Sequence, residues 1–256
     1  MKTNEYGKYL SEAYDILETD VNYEEWAEFY LACMQKFTGK KPVHVCDMAC
    51  GTGKLSVALD KRGCKVTAFD LSEEMLTLAD KRAREEDAGN VRFTRQDLRD
   101  FRVYTPAELC VCMMDGINCL GTPTDVSSAF ESVRRALTDG GIFVFDVNSR
   151  HKFEETYGEN AYLLENDNVF LAWQNFYEPS AKKCDMYLTF FIENKDGKYE
   201  RFDESIRERM YPAKTLDRLL DRAGFDVLCC TSDFDFTPAD ETACDRIFYI
   251  CRKKDE

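Results

Sequence analysis

The sequence predicts an α/β protein: a doubly wound, mostly parallel seven-stranded sheet with a small antiparallel β insertion and an N-terminal helical lid. Three observations carry this. Across 40–148, short β-rich apolar runs alternate with longer helical patterns, the mark of a parallel sheet covered on both faces. After Asn148 the regularity gives way to a stretch dense in aromatic and β-branched residues. After Met210 come a helix and two further strand-like runs.

Ahead of the alternation, "NYEEWAEFYLACMQKF" reads as an amphipathic helix with Trp26, Phe29, Tyr30 and Cys33 on one side. "VHVCDM" is the first strand and "KLSVALDKRG" the first covering helix, stopped at Gly63. "KVTAFD" is the second strand. Ser72 then caps a helix running to about Asp87, with Glu74, Met75, Leu78, Ala79 and Arg82 at helical spacing. "VRFTRQD", "ELCVCMM" and "GIFVFDV" are the third, fourth and fifth strands, and Thr122 before Pro123 opens the helix between the last two. In the aromatic stretch, Lys195-Asp196-Gly197 divides two strand-like runs as a hairpin turn would. Pro212 stands near the start of the next helix, Leu216, Leu219 and Leu220 form its apolar face, and Gly224 stops it; "FDVLCCTS" and "RIFYIC" complete the sheet. The expected division is 1–39 as lid, 40–150 with 211–256 as ligand-binding core, and 151–210 as an insertion capping the substrate. Of the insertion's Tyr162, Phe170, Trp173, Phe176 and Tyr177, most are assigned to its core and one or two to the cleft.

A formal charge of −14 and a sequence pI near 4.8 set the average surface against phosphate backbones and anionic membranes. No DNA partner is expected, and the same acidity argues against RNA. The opening "MKTNEYGKYL" lacks an apolar core, and no apolar run approaches the roughly 20 residues of a spanning helix, so a cytoplasmic protein, a monomer or homodimer, is expected. Its twelve cysteines then serve mainly as small buried hydrophobes. With no Cys-x-x-Cys pair, and only His44 and His151 as histidines, spacing indicates no metal site.

The chemistry concentrates in "VCDMACGTGK", Val45 to Lys54, at the first strand-to-helix turn, where open α/β sheets bind ligands. The dinucleotide fingerprint Gly-x-Gly-x-x-Gly is incomplete, since Ser56 takes the third place. Asp47 would also face a pyrophosphate as a like charge. The same carboxylate suits a ligand bearing an ammonium and a sulfonium, as S-adenosylmethionine does. Asp70 ends the second strand, nineteen positions after Gly51, where a carboxylate can accept from both ribose hydroxyls. Asp97 can accept from an adenine amino group, with Leu71 and Met75 covering the ring.

Taken together, "VCDMACGTG", "AFDLSEEML", "RQDLRDF", "MMDGINCL" and "GGIFVFDVNS" resemble the class I S-adenosylmethionine-dependent methyltransferases and their Rossmann-like fold. The resemblance spans roughly 6–251. The opening "YGKYLSEAYDILETDVNYEEWAEFY" is similar to that of YqeM-like bacterial methyltransferases, where a Tyr-Asp and a later Tyr-x-x-Trp close over the cofactor. The insertion is similar to that of amino-sugar N-methyltransferases and glycine N-methyltransferase-like enzymes. Carried over residue by residue, the resemblance implies that Asp47 holds the methionine amino group and that Ala49, Gly51 and Gly53 allow close backbone approach, with Cys50 in a position many relatives give to glycine. It implies Asp70 on the ribose, Asp97 and the Leu98 backbone on adenine, Met114 and Asp115 beside the reactive methyl, and Tyr14 and Trp26 from the lid. Cys50 reads as a packing residue, because Asp47 opposes the thiolate that reactivity needs. His151, after the fifth strand, is the single general-base candidate, against a slightly better reading as an exposed loop histidine. The expected activity is methyl transfer to nitrogen or oxygen of a small-molecule acceptor. RNA or protein methylation and a non-catalytic S-adenosylmethionine-binding regulator are the alternatives.

Overall fold

The computed structural model describes Ser11, Asp15 and residues 21–166 and 168–255. Its main sheet holds β1 (His44–Met48), β2 (Lys65–Asp70), β3 (Val91–Arg95), β4 (Ala107–Cys112), β5 (Leu137–Asn148), β10 (Phe225–Thr231) and β11 (Arg246–Lys253). The spatial order is β10-β11-β5-β4-β1-β2-β3. All neighbours are parallel except β11, which runs antiparallel between β10 and β5. The central strands are buried on both faces, as their unbroken apolar text requires.

Two helical layers cover the sheet. On one side α1 (Tyr23–Thr38) and α2 (Lys54–Lys61) bury Phe29, Tyr30, Cys33, Leu55 and Leu59 against Val45, Val111, Val144 and Phe248. Helix α3 (Glu73–Glu85) follows α2 along this face, capped as expected by Ser72 accepting from the Met75 N–H. On the other side α4 (Pro123–Ala136) and α5 (Ala213–Arg222) bury Phe130, Val133, Leu216 and Leu220 against Phe143, Phe145 and Tyr249. Helix α1, expected within a lid, is thus a structural layer of the core. Its Tyr30 and Cys33 are wholly buried.

The insertion is a second sheet in the order β6-β7-β8-β9: β6 (Ala161–Asn166), β7 (Val169–Glu178), β8 (Lys183–Glu193) and β9 (Tyr199–Arg209), all antiparallel. The β8–β9 turn contains the expected Asp196-Gly197, with Gly197 at φ 73° and the Asn194 side chain accepting from the Asp196 and Lys198 N–H groups. A single π-helical turn, Lys152–Tyr157, leads into it from β5. Phe153 and Tyr157 of that turn pack on Cys184, Met186 and Met210, tying insertion to core. The insertion's buried face is Val169, Leu171, Leu188 and Phe190. Of the five insertion aromatics, most of which were expected in its core, Trp173 and Tyr177 pack partly buried on its apolar clusters, whereas Phe176 is 54% exposed and pairs with Tyr187 on the outside. Two-residue alternation explains the difference: Val169, Leu171, Trp173 and Tyr177 share one face of β7, and Phe170 and Phe176 turn to the other. Among the described residues no helix is long and apolar enough to cross a membrane.

Candidate functional site

The strand order reverses between β1 and β4, so the turns leaving these two strands open a cleft at their carboxyl ends. Tyr23, Asp47, Ala49, Cys50, Gly51, Thr52, Lys54, Leu55, Met113 and Met114 line it. Asp47 is 1% exposed. Its Oδ2 accepts from Ser56 Oγ at 2.5 Å, while its Oδ1 is buried with no hydrogen-bond partner among the described residues. Burial pushes its carboxyl up to about 7, opposed by the Ser56 bond. An orphaned carboxylate oxygen of this kind in a cleft wall calls for a cationic donor. Ser56, which at first reads as the missing third glycine, is the residue that orients it.

The loop is held from both sides. Asp70 Oδ2 accepts from the Gly51 N–H and Oδ1 from the Ser72 N–H, each at 2.9 Å, which fixes the carboxylate plane and leaves each oxygen further acceptor capacity. Burial raises its pKa, with the backbone N–H groups of Ser72, Gly51 and Leu71 opposing. Gly53, at φ 77°, sits where an added Cβ would lie 2.8 Å from Ala79 Cβ and 3.0 Å from the Phe93 ring. It lets the loop press onto α3 and β3. Asp15 clamps the outer side: it accepts from Thr52 Oγ1 at 2.8 Å and pairs with Lys54 at 3.0 Å and with Arg82, whose Nε also donates to the Thr52 carbonyl at 3.0 Å. The Cys50 thiol is driven well above its usual range by burial and by Asp47 and Asp70, so it stays protonated.

Across the cleft, Met114 and Asp115 both take left-handed conformations, at φ 55° each. Asp146, fully buried on β5, stabilises this turn: its two carboxylate oxygens accept from the Met114 and Asp115 N–H groups, each at 2.8 Å. Arg246 of β11 pairs with Asp146 and, at 3.3 Å, with Asp115. Trp26 covers Arg246 at 5.6 Å and otherwise packs against Tyr30, Phe234 and Phe248. Asp146 and Arg246 were not among the sequence candidates, whereas Asp15 and Tyr23 entered only within the Tyr-Asp and Tyr-x-x-Trp likeness. Asp146 carried a readable signal, a lone acid inside the apolar run "GIFVFDV".

The other candidates lie as follows. Leu71 is exposed and Met75 buried at the start of α3. Leu98 packs partly buried on the core. Asp97 is gripped by Arg99, whose N–H and Nε reach it at 2.9 Å, so Arg99 holds its carboxyl below the usual range, and Asp97 is absent from the wall of the cleft. His151 stands 4.0 Å from Asp245 and is absent from the wall of the cleft. Tyr14 lies outside the described residues. A separate cavity of about 470 Å³ lies between core and insertion, bounded by Asn148, Tyr177, Lys182, Met210 and Tyr249 among others.

A family model described as a methyltransferase domain matches residues 45–141, from β1 into β5. Over 246 residues the chain is 30% identical to YqeM of Bacillus subtilis (strain 168), spanning 95% of this chain and 96% of that protein. The chain belongs to the YqeM-like methyltransferases. The crystal structure of an S-adenosylmethionine-dependent methyltransferase from Clostridium acetobutylicum ATCC 824 superposes on this methyltransferase with a TM-score of 0.86, at 27% identity over 98% of this chain and 99% of that one. A Streptomyces venezuelae dTDP-3-amino-3,4,6-trideoxy-α-D-glucopyranose N,N-dimethyltransferase is 31% identical over 100 residues, 39% of this chain and 40% of that protein. The methyltransferase uses S-adenosylmethionine as its methyl donor. Its orphaned Asp47 Oδ1 fits the ammonium of that donor.

Proposed function

We propose that this methyltransferase binds S-adenosylmethionine between the β1 and β4 turns and methylates a small-molecule acceptor at nitrogen or oxygen. The observation that carries the reading is the buried Asp47 carboxylate, whose free Oδ1 sits in the wall of a cleft beside Gly51. In this reading Asp47 takes the methionine ammonium, and Ala49, Cys50, Gly51 and Gly53 present backbone to the ligand. Asp70, already oriented by two N–H donors, takes the ribose hydroxyls. Leu71 and Met75 flank the adenine, with Asp97 and the Leu98 backbone at its edge. Tyr23, which lines the cleft one helical turn before Trp26, closes over the methionine end.

When bound, S-adenosylmethionine supplies a methyl group already activated by its sulfonium charge. The chain's task is then to align the acceptor and exclude water. Met114 and Asp115, fixed by Asp146, form the wall facing the transferred group. The insertion supports a small acceptor, as does the strongly acidic surface, which disfavours nucleic acid. A relative that methylates an amino sugar supports it as well.

Calorimetry with S-adenosylmethionine tests the donor site. Asp70→Ala is expected to weaken binding at least tenfold while the chain stays folded, and unchanged affinity would remove the ribose assignment. Release of S-adenosylhomocysteine across a metabolite panel tests the acceptor class.

A further inference from the structure

We propose that Asp115 of the core and Glu208 of the insertion form a carboxyl pair holding one proton between them, which receives the methyl acceptor as an ammonium ion and takes the proton its nitrogen must lose. The inference rests on the methyl-transfer reading above and narrows its acceptor to an amine.

Glu208 lies on β9 at the seam with the core and is 5% exposed. Its Oε2 accepts from Asn148 Nδ2 at 2.7 Å, and its carboxyl is hydrogen-bonded to Asp115. Two carboxylates in such contact do not both ionise. Burial, followed by the charge of Asp115, pushes the Glu208 carboxyl well above its usual range. Asp115 keeps 13% of its side chain exposed and is next in the chain to Met114, which lines the cleft, so it is the member nearer to an acceptor held there.

The surrounding charges favour a cation. Among the described residues, the cations acting on Asp115, Asp146 and Glu208 are Arg246 and Lys152, three carboxylates against two cations. Lys152 Nζ donates to Asn148 Oδ1 at 2.9 Å and lies over the Tyr157 ring rather than on a carboxylate. Tyr157, Cys119 and Cys184, the other titratable groups near Glu208, are all pushed upward and stay neutral. One negative charge is therefore left unbalanced in a buried place, a costly arrangement that a shared proton or an incoming ammonium relieves and a neutral alcohol does not.

The step balances. The ammonium displaces the shared proton to solvent and then gives one of its own protons to Asp115, backed by Glu208. The freed nitrogen lone pair forms the N–C bond to the donor methyl as the C–S bond breaks, its electron pair passing to sulfur. The products are a methylated ammonium and neutral S-adenosylhomocysteine. Asp115 is the catalytic member. Glu208 acts through it as a positioning residue.

Infrared spectroscopy on the S-adenosylhomocysteine-loaded protein tests this. At pH 8 the C=O stretch of a protonated carboxyl group is expected in the wild type and lost in both Glu208→Gln and Asp115→Asn. A urea-denaturation midpoint close to that of the wild type shows that each variant is folded. Saturating cyclohexylamine should remove the band in the wild type, and cyclohexanol should leave it. In a transfer panel of amines and alcohols with matched skeletons, only amines should be methylated, and the acid limb of the wild-type pH–rate profile should move to lower pH in Glu208→Gln. A band unaffected by Glu208→Gln, or equally indifferent to both probes, overturns the pair. Methylated alcohols overturn the amine assignment but leave methyl transfer standing. Failure of the wild type to bind S-adenosylhomocysteine refutes the donor-site reading instead.

Discussion

Replacing Asp47 by asparagine keeps its shape and its bond to Ser56 but removes a charge that the ligand-free fold accommodates poorly. Its carboxyl is pushed up to about 7, against an ordinary value near 3.9. A folded-state pKa raised this way means that the folded chain keeps a proton the unfolded chain has already lost. Stability therefore falls as pH rises from about 4 and levels off above about 7. At about 1.4 kcal/mol per pKa unit, the full loss is about 4 kcal/mol. Asp47→Asn carries no such slope. By urea denaturation of the ligand-free protein, the variant should match the wild type near pH 4 and exceed it by about 4 kcal/mol at pH 8. The same substitution should lower S-adenosylmethionine affinity by calorimetry, because the ammonium loses its counter-charge. Near pH 7 wild-type binding should release a proton, seen as a heat that varies with buffer ionisation, and the variant should not. Parallel stability curves for the two proteins, or unchanged affinity in the variant, would refute the placement of a strained, ligand-seeking carboxylate in the cleft.

Gly53→Ala should destabilise by about 1–3 kcal/mol in urea, because the added methyl meets Ala79 and Phe93 at a left-handed position. Cys50→Ala should change S-adenosylmethionine affinity by less than tenfold, about 1.4 kcal/mol, since its buried thiol remains neutral. Arg246→Met leaves the fully buried Asp146 and its neighbour Asp115 without their shared cation, so denaturation should show a loss of about 3–5 kcal/mol. Adding Asp146→Asn should recover part of it.

The parts of the site that were legible from sequence are those whose signal is local. Asp47 and Asp70 end apolar strands and stand out against them, and the Ser72 and Thr122 caps announce helices directly downstream. Ser56 rightly told against the dinucleotide fingerprint, but its bond to Asp47 was not legible, because a motif comparison asks whether a glycine is present and not what a hydroxyl nine residues after an aspartate can reach. Trp26 was assigned through the Tyr-x-x-Trp likeness, yet it is Tyr23 at the other end of "YEEW" that lines the cleft while Trp26 packs into the aromatic layer. Glu208 and Arg246 gave no local sign at all. Each is one charged residue on a strand, and its role exists only because the fold brings it across 93 or 100 positions to Asp115 or Asp146, by the seam between insertion and core for Glu208 and by the pairing of β11 with β5 for Arg246. Asp97 fitted the pattern by position, and what the sequence did not show is that Arg99 two residues later also binds its carboxylate.

The seating of β11 bears on how the molecule is made. This strand follows every other element in chain order, yet it lies inside the sheet between β10 and β5. A nascent chain that has emerged only through β10 would present β5 as a bare edge, with Asp146 lacking its guanidinium partner and the Met114–Asp115 turn held by an unneutralised carboxylate. On the ribosome, the donor loop after β1 can form early from neighbouring sequence, whereas the opposite wall waits for Arg246. Until then no partly synthesised chain has both walls of the cleft in place.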